Sequence, residues 1–220
     1  MQKTTEVLEH VERLTKRFPQ LAQCREQILA SYELLRACYD AGGMLLVCGN
    51  GGSGADAEHI VGELMKEFAV RRPLPTQDQL LLRTLSRELS EQDGELLAAH
   101  LQGALPAVTL TSNIALSTAY ANDALPELVF AQQVYGYGQA GSALLGISTS
   151  GDSKNVIYAL MTAKLKGMKT IGLTGERGGK MKEMCDACIC VPASFTPDVQ
   201  ELHLPVYHCL CRMLEEAYFG

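Results

Sequence analysis

Four places in this sequence gather side chains able to do chemistry. The first is the run Gly49-Asn50-Gly51-Gly52-Ser53-Gly54. Asn50, Gly51 and Gly52 let backbone come close to a ligand, and Ser53 adds a hydroxyl. The run matches G-x-G-x-x-G, which binds dinucleotides where it joins a strand to a helix. That use also needs an acid at the end of the second strand to hold a ribose. Here the second strand ends Leu110-Thr111-Ser112-Asn113, and the loop has no Walker lysine. A nicotinamide site is therefore not expected. The second place is Ser148-Thr149-Ser150-Gly151-Asp152-Ser153, just before a helical segment. Hydroxyls and backbone N–H groups at a helix N-terminus bind anions, helped by the positive end of the helix dipole. With no Lys or Arg in the loop, one phosphate monoester suits it better than a triphosphate. Simple capping by Ser150 or Asp152 would account for one of these residues. It would not account for the hydroxyls of Ser148, Thr149, Ser150 and Ser153 together.

The third and fourth places are pairs. His59 and Glu63 stand one helical turn apart, and Gln200 and His208 just over two turns apart, so each pair shares a helix face. A His, a Glu, a Gln and a His could close around zinc. Such pairs also arise by chance, and His10, His100 and His203 read as ordinary isolated histidines. The cysteines are Cys24, Cys38, Cys48, Cys185, Cys188, Cys190, Cys209 and Cys211. Without an export signal they do not suggest a disulfide framework. Cys185-x-x-Cys188-x-Cys190 has the outline of half a zinc knuckle, but Cys188 and Cys190 fall in the strand-like ACICV and read better as small hydrophobes.

Positioning these groups requires a sheet. Short apolar runs at 44–48, 107–110, 143–147, 170–173 and 187–191 lack clean alternation, as strands of a parallel sheet covered on both faces do. Helical segments at about 55–69, 113–121, 153–167 and 177–184 separate them, which predicts right-handed crossovers and a doubly wound α/β fold. Two amphipathic helices, 4–18 and 21–40, precede the first strand with Pro19 between them, and a last helix covers about 199–218. The outer helices carry more apolar surface than one small sheet needs, which points to subunit packing. Residues 73–105 form an insertion. Its apolar positions, Leu80, Leu81, Leu82, Leu85 and Leu89, then Leu96, Leu97 and Leu101, predict a helical hairpin with its turn at Gln92-Asp93-Gly94.

The 220 residues suit a single domain, with residues 1–41 as N-terminal helices within it. Composition is ordinary: 47% hydrophobic, 20% charged, net charge −6. A mildly acidic chain lacks the electrostatic footprint of a nucleic-acid binder. No apolar run reaches the roughly 18 residues of a membrane span, and the first residues form a charged amphipathic helix without an apolar signal core. A cytoplasmic location is expected.

In order, CGNGGS-x-x-DA-x-H-x-x-x-EL, AND, LLGISTSGDSKNV, LTGERGGKM and VQELHLPVYH resemble the phosphoheptose isomerases, which have the sugar isomerase (SIS) fold. The resemblance covers about residues 30–220 apart from the insertion. It implies a five-stranded parallel sheet in a flavodoxin-like three-layer arrangement, a homotetramer, and active sites where subunits meet. It implies conversion of sedoheptulose 7-phosphate to D-glycero-D-manno-heptose 7-phosphate through an enediol. His59, Glu63, Gln200 and His208 match the zinc ligands of zinc-containing members. Glu63 and His208 also match the proposed base and acid. Ser53, Ser148, Thr149, Ser150 and Ser153 match substrate- and phosphate-binding positions, Gln200 lies with them, and Asn122 and Asp123 match an Asn-Asp near the substrate. There are departures. A basic substrate-holding residue aligns with Glu67, next to Lys66. An Asp three places before the Gln aligns with Pro197, next to Asp198. Compact members lack the hairpin. Related SIS proteins include non-catalytic regulators that sense sugar phosphates or bind other proteins, and the presence of both Glu63 and His208 favours the enzyme over that class.

Overall fold

A computed structural model describes residues 2–87 and 90–220. The chain runs α1 (Gln2–Arg17), a 3-10 turn (Pro19–Cys24), α2 (Arg25–Asp40), β1 (Leu45–Gly49), α3 (Gly52–Met65), α4 (Thr76–Leu85), α5 (Glu91–His100), β2 (Ala107–Thr109) and α6 (Ile114–Asp123). It continues through a second 3-10 turn (Pro126–Leu128), α7 (Val129–Tyr137), β3 (Ala143–Ser148), α8 (Lys154–Leu165), β4 (Lys169–Thr174), α9 (Gly179–Met184), β5 (Ala187–Cys190) and α10 (Thr196–Phe219). The strands form one parallel sheet in the order β2-β1-β3-β4-β5.

Every residue of β1 and β3 is buried. Their side chains serve two cores. Leu45, Val47, Leu145 and Ile147 face a core built with α1, α2, α3 and α10. Leu46 and Leu144 face a second core with α7, α8 and α9. A Leu buried to this degree contributes roughly 1.5–3 kcal/mol through removal from water, so both layers are held by the same few strands. This is the expected three-layer fold.

Three features differ from the sequence reading. The second predicted helix begins as a 3-10 turn, with Pro19 in its first turn. Helix α7 was not foreseen; Phe130 and Val134 enter the second core from it. The hairpin exists, but its turn is not at Gln92-Asp93-Gly94, which lies inside α5. Ser90 caps α5 by accepting a hydrogen bond from the Asp93 N–H at 3.3 Å. Gly94 is a packing residue: a Cβ there would run into the Ser86 side chain at the end of α4. Leu89 lies outside the described residues. Leu80, Leu81, Leu85, Leu96, Leu97 and Leu101 are exposed. The base of the hairpin is pinned by a Pro73–Gln102 bridge and by Gly103 N–H donating to the Arg72 carbonyl at 2.7 Å. No helix among the described residues is long and apolar enough to cross a membrane.

Candidate active site

The strand order reverses between β1 and its two neighbours, β2 and β3. At such a switch point the loops leaving adjacent strands diverge and open a crevice at the carboxyl ends of the strands. The glycine loop leaves β1 there and the hydroxyl loop leaves β3. Asn50 and Asn155 tie them together by reciprocal amide bonds of 2.9 and 2.8 Å. Gly51 has φ +55° as it leads into α3, a conformation that favours glycine. At Gly52 a Cβ would strike the Gln200 amide, so this glycine lets α10 approach the loop. Ser53 is buried in the first turn of α3.

The hydroxyl loop is not a cap. Ser153 is the N-cap residue of α8, yet its side chain makes no capping bond. Its hydroxyl pairs with Ser148 Oγ at 2.9 Å, and Ser150 Oγ lies 3.4 Å from Ser148 Oγ. The Gly151 N–H donates to Ser148 Oγ at 3.2 Å. Asp152 does not cap α8 either: its Oδ1 accepts from Lys180 N–H at 3.1 Å. Thr149 and Ser150 border a cavity of about 430 Å³ that Glu176, Arg177 and Phe195 close on the far side. None of the loop hydroxyls takes up the first N–H groups of α8; Asn155 Oδ1 accepts from the Val156 N–H at 3.0 Å, and the turn before it faces the loop as an anion site would. The LTGERGGKM segment supports this loop. Gly151 has φ +72°, and a Cβ on it would meet the Gly178 backbone.

Beside these loops, α3 and α10 bring His59, Glu63 and His208 together. His59 Nε2 lies 3.1 Å from Glu63 Oε1, and Lys66 Nζ lies 3.5 Å from Oε2. The His59 and His208 rings are 5.0 Å apart, edge to face. Tyr207 and Asp56, which the sequence reading passed over, orient His59. The Tyr207 hydroxyl donates to Asp56 Oδ1 at 3.3 Å and lies 2.9 Å from His59 Nδ1. Where the Tyr207 proton goes to Asp56, its oxygen accepts from His59 Nδ1–H and a bare Nε2 faces the carboxylate, a place for a cation; where it goes to Nδ1, Nε2–H donates to Glu63. His208 Nε2 is buried without a partner. Burial lowers the His208 pKa, as do the nearby His59 and Arg212; Glu63 opposes them. Burial raises the Asp56 carboxyl, against the Tyr207 bond and His59.

Glu63 is almost fully buried, at 9% exposure, and its place is fixed from behind. Arg72 Nη1 donates to the Leu64 carbonyl at 2.8 Å and Nη2 to the Glu63 carbonyl at 3.0 Å. A guanidinium therefore satisfies the free carbonyls at the end of α3, where a cation is favoured. Glu215 on α10 holds Arg72 at 2.9 Å. Gln200 lies two turns from His208, against Gly52. Among the described residues no three His, Cys, Asp or Glu side chains are gathered closely enough to enclose a metal ion. Asn122 and Asp123 end α6, exposed, with Asn122 Nδ2 donating to Asp123 Oδ1 at 2.9 Å. They are not drawn into the cluster.

A family model described as the SIS domain matches residues 8–95 and 95–175. Phosphoheptose isomerase of a Nitratiruptor species is 41% identical over 174 residues, which is 79% of this chain and 77% of that protein. The chain belongs to the phosphoheptose isomerase family of SIS proteins. Solved phosphoheptose isomerases agree. That of Neisseria gonorrhoeae superposes with a TM-score of 0.67 at 31% identity, over 95% of this chain and 93% of the other. That of Francisella tularensis gives 0.70 at 28% identity, over 98% and 97%. Membership in the phosphoheptose isomerases makes this chain a sugar-phosphate isomerase rather than a non-catalytic SIS regulator. The Vibrio vulnificus NanR protein complexed with ManNAc-6P, 12% identical with a TM-score of 0.53, shares only the fold.

Proposed function

We propose that this isomerase interconverts sedoheptulose 7-phosphate and D-glycero-D-manno-heptose 7-phosphate, with Glu63 and His208 moving the protons. The observation that carries the reading is a nearly buried carboxylate paired with one imidazole, on which a second imidazole packs edge to face, beside a helix start whose hydroxyls do not cap it. Ser148, Thr149, Ser150 and Ser153 hold the phosphate, with the α8 dipole behind them. Asn50, Gly51, Gly52, Ser53 and Gln200 bring backbone and amide groups against the sugar chain. Asn122 and Asp123 belong to the same substrate set, reached from outside the cluster. Glu63 takes the proton from the carbon next to the carbonyl, the electron pair forms the enediol double bond, and the proton returns to the neighbouring carbon. His208, half-buried and with its pKa lowered by what burial it has, passes a proton between the two oxygens.

Zinc belongs to this proposal. His59, Glu63, Gln200 and His208 supply two imidazoles, a carboxylate and an amide oxygen, a donor set suited to it. The 3.1 Å approach of His59 Nε2 to Glu63 Oε1 and the unpartnered His208 Nε2 support a cation there. The Nδ1 contact of His59 with Tyr207 is the kind of outer contact that orients a ligating imidazole. When bound, the ion would polarise the substrate's carbonyl and hydroxyl oxygens. A cytoplasmic homotetramer completes the reading; the exposed leucines of the hairpin support subunit contact of some kind.

Turnover on sedoheptulose 7-phosphate tests the activity. Glu63→Gln keeps the shape and removes the base, and should lower turnover on the order of 100-fold or more. Exchange of substrate hydrogen with solvent deuterium, followed by NMR, should be lost with it while sugar-phosphate binding persists. Wild-type protein at saturating zinc that neither isomerises nor exchanges any six- or seven-carbon ketose phosphate would sink the proposal. Elemental analysis tests the metal: equal zinc in the wild type and in a His59→Ala/His208→Ala variant would remove it.

A further inference from the structure

Strand β5 is an edge of the sheet, and its last turn of sequence, Cys188-Ile189-Cys190, carries two thiols on one side. Cys188 packs against the second core as a small hydrophobe does, yet both it and Cys190 stay partly exposed, whereas Ile189 between them is fully buried. Alternation along a strand puts residues two apart on the same face. Here the two sulfurs stand 3.9 Å apart. They open on a cavity of about 270 Å³ bounded also by Gln27, Glu176 and Lys182. The Thr174 hydroxyl lies 3.4 Å from Cys190 Sγ and 3.8 Å from Cys188 Sγ.

We propose that Cys188 and Cys190 form an exchange-active dithiol, which small-molecule disulfides oxidise to a reversible intrachain disulfide. Neither sulfur belongs to the isomerase cluster, and the inference does not depend on the activity assigned there. Cys190 is the attacking thiol. Its hydrogen bond with Cys188 holds it below the usual thiol range, Thr174 and Lys182 act in the same direction, and burial opposes them. The same bond, together with burial, pushes Cys188 up, so it keeps its proton and serves as the resolving thiol. The remaining cysteines are poor competitors. Burial raises Cys24 and Cys38 to about 11 and Cys48, Cys185 and Cys209 to about 12, and it raises Cys211 further.

The Cys190 thiolate attacks one sulfur of the external disulfide, a mixed disulfide forms, and one thiolate leaves. That thiolate takes the proton of Cys188. The Cys188 sulfur then attacks Cys190 Sγ, and the second thiolate leaves and takes up the proton that Cys190 had released. In sum two protein thiols and one external disulfide become one protein disulfide and two external thiols. Same-face residues two apart on an extended strand hold their Cα and Cβ atoms roughly 6.6–6.8 Å apart, whereas a disulfide brings the Cβ atoms to about 3.5–4.5 Å. Closure therefore requires the end of β5 to bend away from its pairing with β4, and the closed bond should be strained and easily reduced.

The test uses the full chain with oxidised glutathione as the probe, then alkylation of free thiols and peptide mapping by mass spectrometry. The expected result is protection of Cys188 and Cys190 together, about ten-fold or more faster than any other cysteine, with no glutathione retained and full reversal by dithiothreitol. Cys188→Ser should instead trap one glutathione on Cys190, and Cys190→Ser should abolish the fast reaction. The wild-type map decides the matter even if a variant folds poorly. Uniform slow modification of all the cysteines, or fast reaction elsewhere with 188 and 190 untouched, would overturn the proposal. So would glutathione retained on the wild-type protein without closure.

Discussion

Replacing Glu215 by glutamine tests the support beneath Glu63. The Glu215 carboxylate is 1% exposed and accepts three bonds: Phe68 N–H and Arg72 Nε at Oε1, 2.8 and 2.9 Å, and Ala69 N–H at Oε2, 2.8 Å. Arg72 is also 1% exposed, and its guanidinium stacks 4.6 Å from the Phe219 ring. Glutamine keeps one acceptor, turns an N–H₂ toward a backbone N–H, and leaves the guanidinium buried without a counter-charge. Breaking a buried pair from one side costs about 3–5 kcal/mol. With an unfolding entropy of about 2.1 cal/mol/K per residue over this chain, that lowers Tm by about 6–11 °C. Urea unfolding at fixed protein concentration, followed by circular dichroism, measures the loss; concentration is fixed because self-association shifts the midpoint. In the double variant Arg72→Met/Glu215→Leu no charge is stranded, so its cost should fall short of the two single costs added together. A loss under about 1 kcal/mol for Glu215→Gln, or strict additivity in the cycle, would refute the reasoning.

Three further outcomes are expected. His203 is fully buried, and its ring has at most a loose backbone contact with Thr174; burial lowers its pKa to about 4, against the weaker pull of that contact. The unfolded chain binds this proton below about 6.5 while the folded chain does not, so stability should fall by up to about 3 kcal/mol as pH drops from 6.5 to 4; His203→Leu should flatten that slope, and an unchanged slope would clear His203. Ser148→Ala/Ser153→Ala should weaken sugar-phosphate binding about ten-fold or more, since it removes charge-assisted hydrogen bonds; unchanged calorimetric affinity would leave the backbone and the helix dipole as the whole anion site. Bridging residues 75 and 101 with a short Gly-Ser link should preserve the fold, because the hairpin is pinned below that point, but lower the mass seen in sedimentation. An unchanged mass would show that the exposed leucines make no subunit contact.

The sequence by itself determined the five strands and their parallel pairing. Strands covered on both faces read as unbroken apolar runs, and β1 and β3 are buried at every position. It also determined which residues share a helix face, because a turn of helix is local: His59 and Glu63 meet at 3.1 Å as their spacing requires. Local reasoning failed at Gly94, where glycine usually marks a turn but here makes room for the side chain of Ser86 on the neighbouring helix. It missed α7, whose place is set by Phe130 and Val134 entering a core the chain has yet to build at that point. The ACICV run gave the strand but not its edge, so the exposure of Cys188 and Cys190 was hidden. Only the tertiary structure decided the rest of the site. Arg72 meets Glu215 across 143 residues, Tyr207 meets His59 across 148, and Asn50 meets Asn155 across 105. Such partners leave no period or spacing in the sequence, because the strand order and the packing of α10 on α3, not distance along the chain, bring them within hydrogen-bonding reach.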